Sequence, residues 1–310
     1  MTIETQADVT GETVPVVVPR TRRPGWRGLL RSGKLRAGLG IVLFFALAGL
    51  IGPLFVHDPE RVSDDQLFGP SAAHLLGTTN TGQDVFKLLV VSSRGSLTVG
   101  LVTGVLATLI SIVIGVVGAY VGNRWDEGLS LFSNVFLVLP GLPLVILVTD
   151  YLGSRGAAMI AVIIALTSWA GPARVLRAQT MSVRGRDYVD AARVSGEPAW
   201  RIIGFEVLPN LLPIIAAQFI FAVLGGILTE AALAFLGLGG SGSWGTMLYF
   251  AQNAQALSLG AWWWFVPPGL CIAVLGAGLA LINFSLDELI NPRLRVPRDK
   301  ANRPATAGTP

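Results

Sequence analysis

Few residues in this chain have the type and spacing that bond-making chemistry needs. Cys271 is the only cysteine, so an internal disulfide and a cysteine-based metal cluster are both excluded. The two histidines, His57 and His74, flank one loop and stand in no metal-ligand spacing. No Ser/His/Asp set and no pair of carboxylates within the apolar runs offers nucleophilic or general acid–base work. Gly28-Leu29-Leu30-Arg31-Ser32-Gly33-Lys34-Leu35 comes within one residue of a phosphate-binding loop. Leu35, however, stands where a Ser or Thr would hold magnesium, no strand pattern precedes the stretch, and an apolar run follows it. It reads as a basic stretch beside a membrane, and ATP hydrolysis by this chain is not expected. Two ionisable features remain. Glu230 is the only ionisable residue well inside an apolar run, and an intramembrane acid is a functional candidate by default. The stretch Asp187 to Pro213 is charged and amphipathic, yet lies between long apolar segments.

That stretch predicts a helix, a turn and a second helix. Asp190-Ala191-Ala192 continue a first short helix. Ser195-Gly196 break it, because glycine accepts the positive φ that ends a helix. Glu197-Pro198 start the next, with proline tolerated in a first turn. Trp200, Ile203 and Val207 then fall on one apolar stripe, and Leu208-Pro209 is expected to close the helix. A helical pair of this kind, outside the bilayer between two spans, is a candidate docking handle for a soluble partner.

The surrounding composition says where such a handle would sit. The chain has 310 residues, 52% hydrophobic and only 14% charged, with mean hydropathy +0.62. A soluble globule carries about 25% charged residues. Six apolar runs are long enough to cross ~30 Å of hydrocarbon, and they predict an all-α integral membrane protein. Residues 1–34 read as a disordered basic cytosolic tail. Residues 35–56 hold the first span, and 57–94 form an extracytoplasmic loop. Residues 95–290 hold five further spans, with a cytosolic loop at 178–209 between the fourth and fifth. Residues 291–310 form a second cytosolic tail. Gly100 and Gly104, then Gly118 and Gly122, provide the four-residue spacing of small side chains that lets helices approach closely. The third span is interrupted by Pro140-Gly141-Leu142-Pro143, and a broken helix of this sort can face a pathway. Nineteen steps from Leu211 place Glu230 about 28 Å along the fifth span, near its outer boundary. Residues 237–261 read as a charge-free outer loop, and Trp262-Trp263-Trp264 as an interfacial aromatic belt. With both termini inside, 19 of the 23 Lys and Arg residues fall on the inner side, as the positive-inside rule requires. The basic excess is thereby explained without nucleic acid.

Three motif segments carry a resemblance. Asp190-Ala191-Ala192, three residues, Gly196, twelve residues and Pro209, with Leu208 just before that proline, resembles the Glu-Ala-Ala loop of ABC importer permeases. Asp190 stands where the family most often has glutamate, and Glu206 where it has isoleucine; a polar residue there is common in the peptide-importer branch. His74-Leu75-Leu76-Gly77-Thr78-Thr79-Asn80-Thr81-Gly82-Gln83-Asp84-Val85 is similar to a segment of the second, C-type permease of that branch, with Thr79 replacing an aspartate and Gln83 an arginine. Glu230 to Gly239, followed by Ser243-Trp244-Gly245, is similar to a third segment, with a shorter linker than usual. Asp287 to Leu294 also resembles that branch, with Asn291 in place of an aspartate.

The resemblance implies a type I ABC importer transmembrane domain in the bacterial inner membrane. It implies alternating access for di- or oligopeptides, with a sister permease, two ABC ATPases that use ATP and Mg, and an extracytoplasmic substrate-binding protein as partners. The chain itself binds no cofactor. Asp190, Ala191, Ala192 and Gly196 are the expected ATPase-coupling residues, anchored by Leu208 and Pro209. Pro140, Pro143 and Glu230 are candidates for the pathway or gate. An oligosaccharide or another solute is the alternative cargo. An ion-coupled secondary carrier or a membrane scaffold are the alternatives of other classes.

Overall fold

The computed structural model describes residues 4–7, 13–16, 32–56, 58–59, 61–153, 156–240 and 242–290. His57, most of the N-terminal tail, residues 291–310 and with them the Asn291-Pro292-Arg293-Leu294 segment lie outside it. Within the stretch expected to be disordered, strands β1 (Glu4–Ala7) and β2 (Thr13–Val16) pair antiparallel, Glu4 opposite Val16. Among the described residues everything else is helical or loop.

Helix α1 (Gly33–Phe55) opens on Ser32, whose hydroxyl accepts the Leu35 N–H at 3.1 Å. Gly33, Lys34 and Leu35 therefore form a capped helical turn rather than a phosphate loop. Helix α2 (Val85–Ser111) passes through a π turn at 112–117 into α3 (Gly118–Val121), an unbroken run of 37 residues. At 1.5 Å per residue this run is about 56 Å long, well beyond the hydrocarbon slab. It begins at Val85, nine residues before the expected loop boundary at 94, so Lys87 and Arg94 sit on the helix rather than in a loop. The Asp84 carboxylate caps it by accepting the Lys87 N–H at 3.1 Å.

Two bent pairs follow. Helices α4 (Asn123–Val138) and α5 (Gly141–Leu152) meet at 88°, and α6 (Ala157–Ser168) and α7 (Ala170–Arg184) at 46°. Helices α8 (Asp187–Val194) and α9 (Ala199–Ile202) come next. A second π turn at 203–207 leads into α10 (Leu208–Phe235), then α11 (Trp244–Asn253) and α12 (Trp262–Ile290). Among the described residues, four helical runs are long and apolar enough to cross a membrane, and six crossings result if each bent pair counts as one.

Small residues set the closest approaches. A Cβ at Gly100 or Gly104 would run into Ile227 or Val223, and one at Gly226 would lie 2.8 Å from Thr103. The glycine spacing in α2 is thus matched by its antiparallel partner α10. Gly38 of α1 faces the Gly278 carbonyl of α12 in the same way, with 2.7 Å to a hypothetical Cβ.

Two expectations are corrected here. Residues 237–261 are not a plain loop, because α11 forms within them, with Trp244, Met247 and Ala251 buried at helical spacing. Trp262-Trp263-Trp264 do not form a uniform belt. Successive helical residues point about 100° apart, so Trp264 is buried, Trp262 is exposed, and the Trp263 indole donates to the Thr78 carbonyl at 3.2 Å.

Candidate functional site

The two ends of the molecule are built differently. At one end α8 hangs from the foot of α3, α7 and α10. Val189 is fully buried among Val116, Tyr120, Leu176, Ile202, Val207 and Leu211. Around that single anchor the rest of α8 faces outward. Asp190 and Ala191 are exposed, Ala192 is half-buried, and Val194 is 90% exposed. Asp190 pairs with Arg193 at 2.8 Å, and the Arg193 guanidinium lies 5.2 Å from the centre of the Tyr120 ring. Hydrogen bonding with Tyr120, reinforced by Asp190, holds Arg193 above its ordinary pKa.

The turn after α8 is fixed by the backbone. Gly196 has φ +79°, its N–H donates to Arg193 O, and the Glu197 N–H donates to Ala192 O. This pair of bonds is a Schellman motif, and the left-handed position is where glycine is favoured. A Cβ at Gly196 would meet nothing within 4 Å, so the requirement for glycine is conformational rather than steric.

The second half of the segment departs from expectation. Trp200 is 69% exposed and does not share a buried stripe with Val207; Ile202 is the buried residue instead. Nor do Leu208 and Pro209 close the helix. The Leu208 N–H donates to Ile203 O, five residues back, and the π turn carries the chain past Pro209 without a break. The extra residue in the turn shifts the buried register, giving Ile202, Val207 and Leu211 at spacings of five and four. Ala199–Phe235 is consequently one continuous helical run of 37 residues. Trp200 and Phe205, each 69% exposed, project from its foot.

At the opposite end the 61–84 loop folds over the tops of α2, α10 and α12. The Thr78 hydroxyl accepts the Phe68 N–H at 2.8 Å, and the Thr79 hydroxyl accepts the Gln83 N–H at 3.1 Å. The His74 Nδ1 lies 2.8 Å from Asp84 Oδ2, while the other oxygen of Asp84 caps α2. Beneath this cap lies a cavity of ≈ 990 Å³. Its walls are the 79–83 turn, Leu88 and Ser92 of α2, the link glycines Gly237, Gly239, Gly240 and Gly242, and α11. Gly237, with φ +81°, closes α10 by the same paired bonds as Gly196: its N–H to Ala234 O and the Leu238 N–H to Leu233 O. Ser243 then caps α11, accepting the Thr246 N–H at 3.2 Å. The Trp244 N–H donates to Ser96 Oγ, and its indole donates to the Leu89 carbonyl, both at 3.0 Å.

Glu230 lies near this outer end, as its position along the span implied, but it is 1% exposed and does not line the cavity. Pro140 and Pro143 belong to neither cluster. Pro140 is the N-cap residue of α5 and Pro143 lies in its first turn, so both prolines fall where a missing N–H costs no helical bond. They are exposed at the 88° bend. Sequence reasoning missed the walls of the cavity, namely Thr246, Tyr249, Asn253 and the link glycines. The signal was available in Ser243 with Thr246 three residues on, ahead of apolar Met247 and Ala251. Among the described residues, no group of three or more His, Cys, Asp or Glu side chains is placed to hold a metal ion.

Comparison with known proteins fits this architecture. Residues 107–296 match the family model of the binding-protein-dependent transport system inner membrane component. A putative peptide transport system permease protein of Brucella suis is 34% identical over 87% of this chain and 91% of its own length. The dipeptide transport system permease protein DppC of Bacillus subtilis is 34% identical over 87% of this chain and 85% of its own. The oligopeptide transport system permease protein OppC of Lactococcus lactis is 30% identical over 74% and 79%. A chain of the MetNI methionine ABC transporter, solved in an inward-facing conformation, superimposes with TM-score 0.52 at 19% identity, covering 67% of this chain and 97% of its own, and so shares the fold. The bent helical pairs, the exposed α8 segment at one end and the capped cavity at the other belong to a multi-pass membrane protein, and the chain belongs to the family of inner membrane components of binding-protein-dependent transport systems, the permease subunits of ABC importers.

Proposed function

We propose that this permease carries di- or oligopeptides across a bacterial inner membrane, and that α8 with the foot of the Ala199–Phe235 run couples it to an ATPase. Peptide cargo is supported by the similarity to peptide permeases over most of both chains. Coupling is supported by one observation above the others. A 37-residue helix runs unbroken from the exposed Trp200 and Phe205 to the edge of the outer cavity at Ala234. Foot and far end thus belong to one helical run.

In this scheme Ala191, with no side chain beyond Cβ, lets α8 lie in a groove, and Asp190 holds Arg193 by its ion pair. Gly196 sets the angle between α8 and the long helix. Leu208 and Pro209 anchor the foot of that helix, and Val194, Trp200 and Phe205 supply apolar contact. Two ATPase subunits bind and hydrolyse ATP with Mg, one docking here and one on a sister permease. A substrate-binding protein delivers cargo at the outer end. Pro140, Pro143 and Glu230 are assigned to the moving parts of the path.

The test is purification of this chain with its native partners, followed by ATPase measurement with empty and peptide-loaded binding protein. Stimulation by the loaded protein, lost in Gly196→Asp while the complex still assembles, is the expected result. Recovery of no ATPase subunit with the wild-type chain overturns the coupling assignment, and stimulation only by saccharide-loaded protein overturns the cargo.

A further inference from the structure

The outer cavity has a property that the family assignment does not specify. Among the described residues, no Asp, Glu, Lys, Arg or His lines it. Its polar surface comes from Thr79, Asn80, Thr81, Gln83, Ser92, Ser243, Thr246 and Asn253, with the backbone of the glycine link, and its apolar surface includes Tyr249, Phe250 and Trp264. Two carboxylates lie close by without lining it. The Asp84 carboxylate is engaged by His74 Nδ1 and the Lys87 N–H. Glu230 is packed at 1% exposure behind Ser243, its hydrogen-bonding neighbour and itself a wall residue. At ≈ 990 Å³ the cavity has the size of a small-ligand pocket. A chamber that offers hydroxyls, amides and aromatic faces without charge stabilises neutral hydrogen-bonding groups. It penalises a charged group, which loses hydration there and gains no counter-ion.

We infer that the chamber is a subsite for an uncharged, hydrogen-bonding segment of the cargo, and that it discriminates against charged side chains during passage. The inference rests on the permease role proposed above and adds the chemistry of one station on the route. Asn80 and Asn253 are exposed wall residues, so they can be changed in charge with little change in shape.

The experiment uses the full complex in proteoliposomes with saturating loaded binding protein. The readout is the ratio of uptake rates for three tripeptides: neutral, lysine-bearing and glutamate-bearing. Asn80→Asp and Asn253→Asp are expected to raise the lysine-to-glutamate ratio about tenfold, the weight of one partly screened charge pair, and Asn253→Lys to invert it. Each ratio is taken within one preparation, so a general loss of rate does not imitate the sign change. Ratios equal to wild type in all three variants overturn the chamber while leaving the permease role standing. Absence of binding-protein-stimulated uptake by the wild type overturns both. A second measurement is independent of those variants. Asn253→Cys in a Cys271→Ser background is labelled with a neutral maleimide in the complex. Protection by a neutral tripeptide or a neutral trisaccharide, each delivered by its binding protein, supports the chamber and identifies the source of the neutral groups. Protection by neither overturns it.

Discussion

Asp126 and Arg177 form a two-pronged ion pair, Nε to Oδ1 at 2.7 Å and the second nitrogen to Oδ2 at 2.8 Å. The pair joins α4 to α7, one helix from each bent pair. Asp126 is nearly buried, with 10% of its side chain accessible, whereas Arg177 keeps 31%. Asp126→Ala leaves a half-covered guanidinium without its partner and is expected to cost about 2 kcal/mol, below the value for a fully buried pair because water still reaches the arginine. Arg177→Lys, which retains charge but loses the fork, should cost about half of that. Thermal melts in detergent measure both, and a double-mutant cycle with Asp126→Ala/Arg177→Ala should return a coupling of at least about 1 kcal/mol.

Gly196 permits a graded test of backbone against sterics. Its φ is +79° and the space beside it is empty. The order Gly, Asn, Ala, Val should therefore follow tolerance for the left-handed region, with Ala costing about 1 kcal/mol and Val more. Transport coupled to ATP hydrolysis should fall in that order, with Asn nearest to wild type. If Val and Asn behave alike, the turn geometry is not what couples.

Much of this molecule was legible because its signals are local. The Gly196 turn needs one residue type at one position. The glycine spacing of α2 is a contact pattern that shows without its partner, although only the structure identifies α10 as that partner. What escaped came from changes of helical period and from long-range closure. The stripe Trp200–Ile203–Val207 assumed a constant 3.6-residue period, and a π turn of five residues rotates it so that Ile202 takes the buried place. Pro209 reads as a stop in isolation, but the same π turn lets the helix pass it. The outer cavity joins residue 79 to residue 264, a separation that no local pattern encodes.

The α2–α10 contact predicts a sharp positional effect. Gly104→Leu drives a branched side chain into Val223 and Phe219, and Gly100→Leu drives one into Ile227. Overpacking of this kind costs about 1 to 3 kcal/mol and should separate the two helices. Gly128→Leu and Gly171→Leu, where a Cβ would meet nothing within 4 Å, should leave the melting temperature within about 2 °C. Equal melting temperatures across the four variants would remove the packing role assigned to the glycines.

Trp244 carries the link between the outer cavity and the first span. It is 1% exposed, stands edge-to-face on Phe45 with 5.4 Å between ring centres, and bonds through its indole to the Leu89 carbonyl. Trp244→Ala removes the largest fully buried side chain at that end and should cost about 3 to 5 kcal/mol. Trp244→Phe keeps most of the packing and loses one hydrogen bond, at about 1 kcal/mol. The functional effect should be larger than stability alone dictates, because Trp244 begins the helix that walls the cavity and its N–H is held by Ser96. Trp244→Phe should thus retain assembly with the ATPases while lowering uptake more than it lowers stimulated ATP hydrolysis. A variant in which uptake and ATP hydrolysis fall in equal proportion would place Trp244 in the scaffold alone.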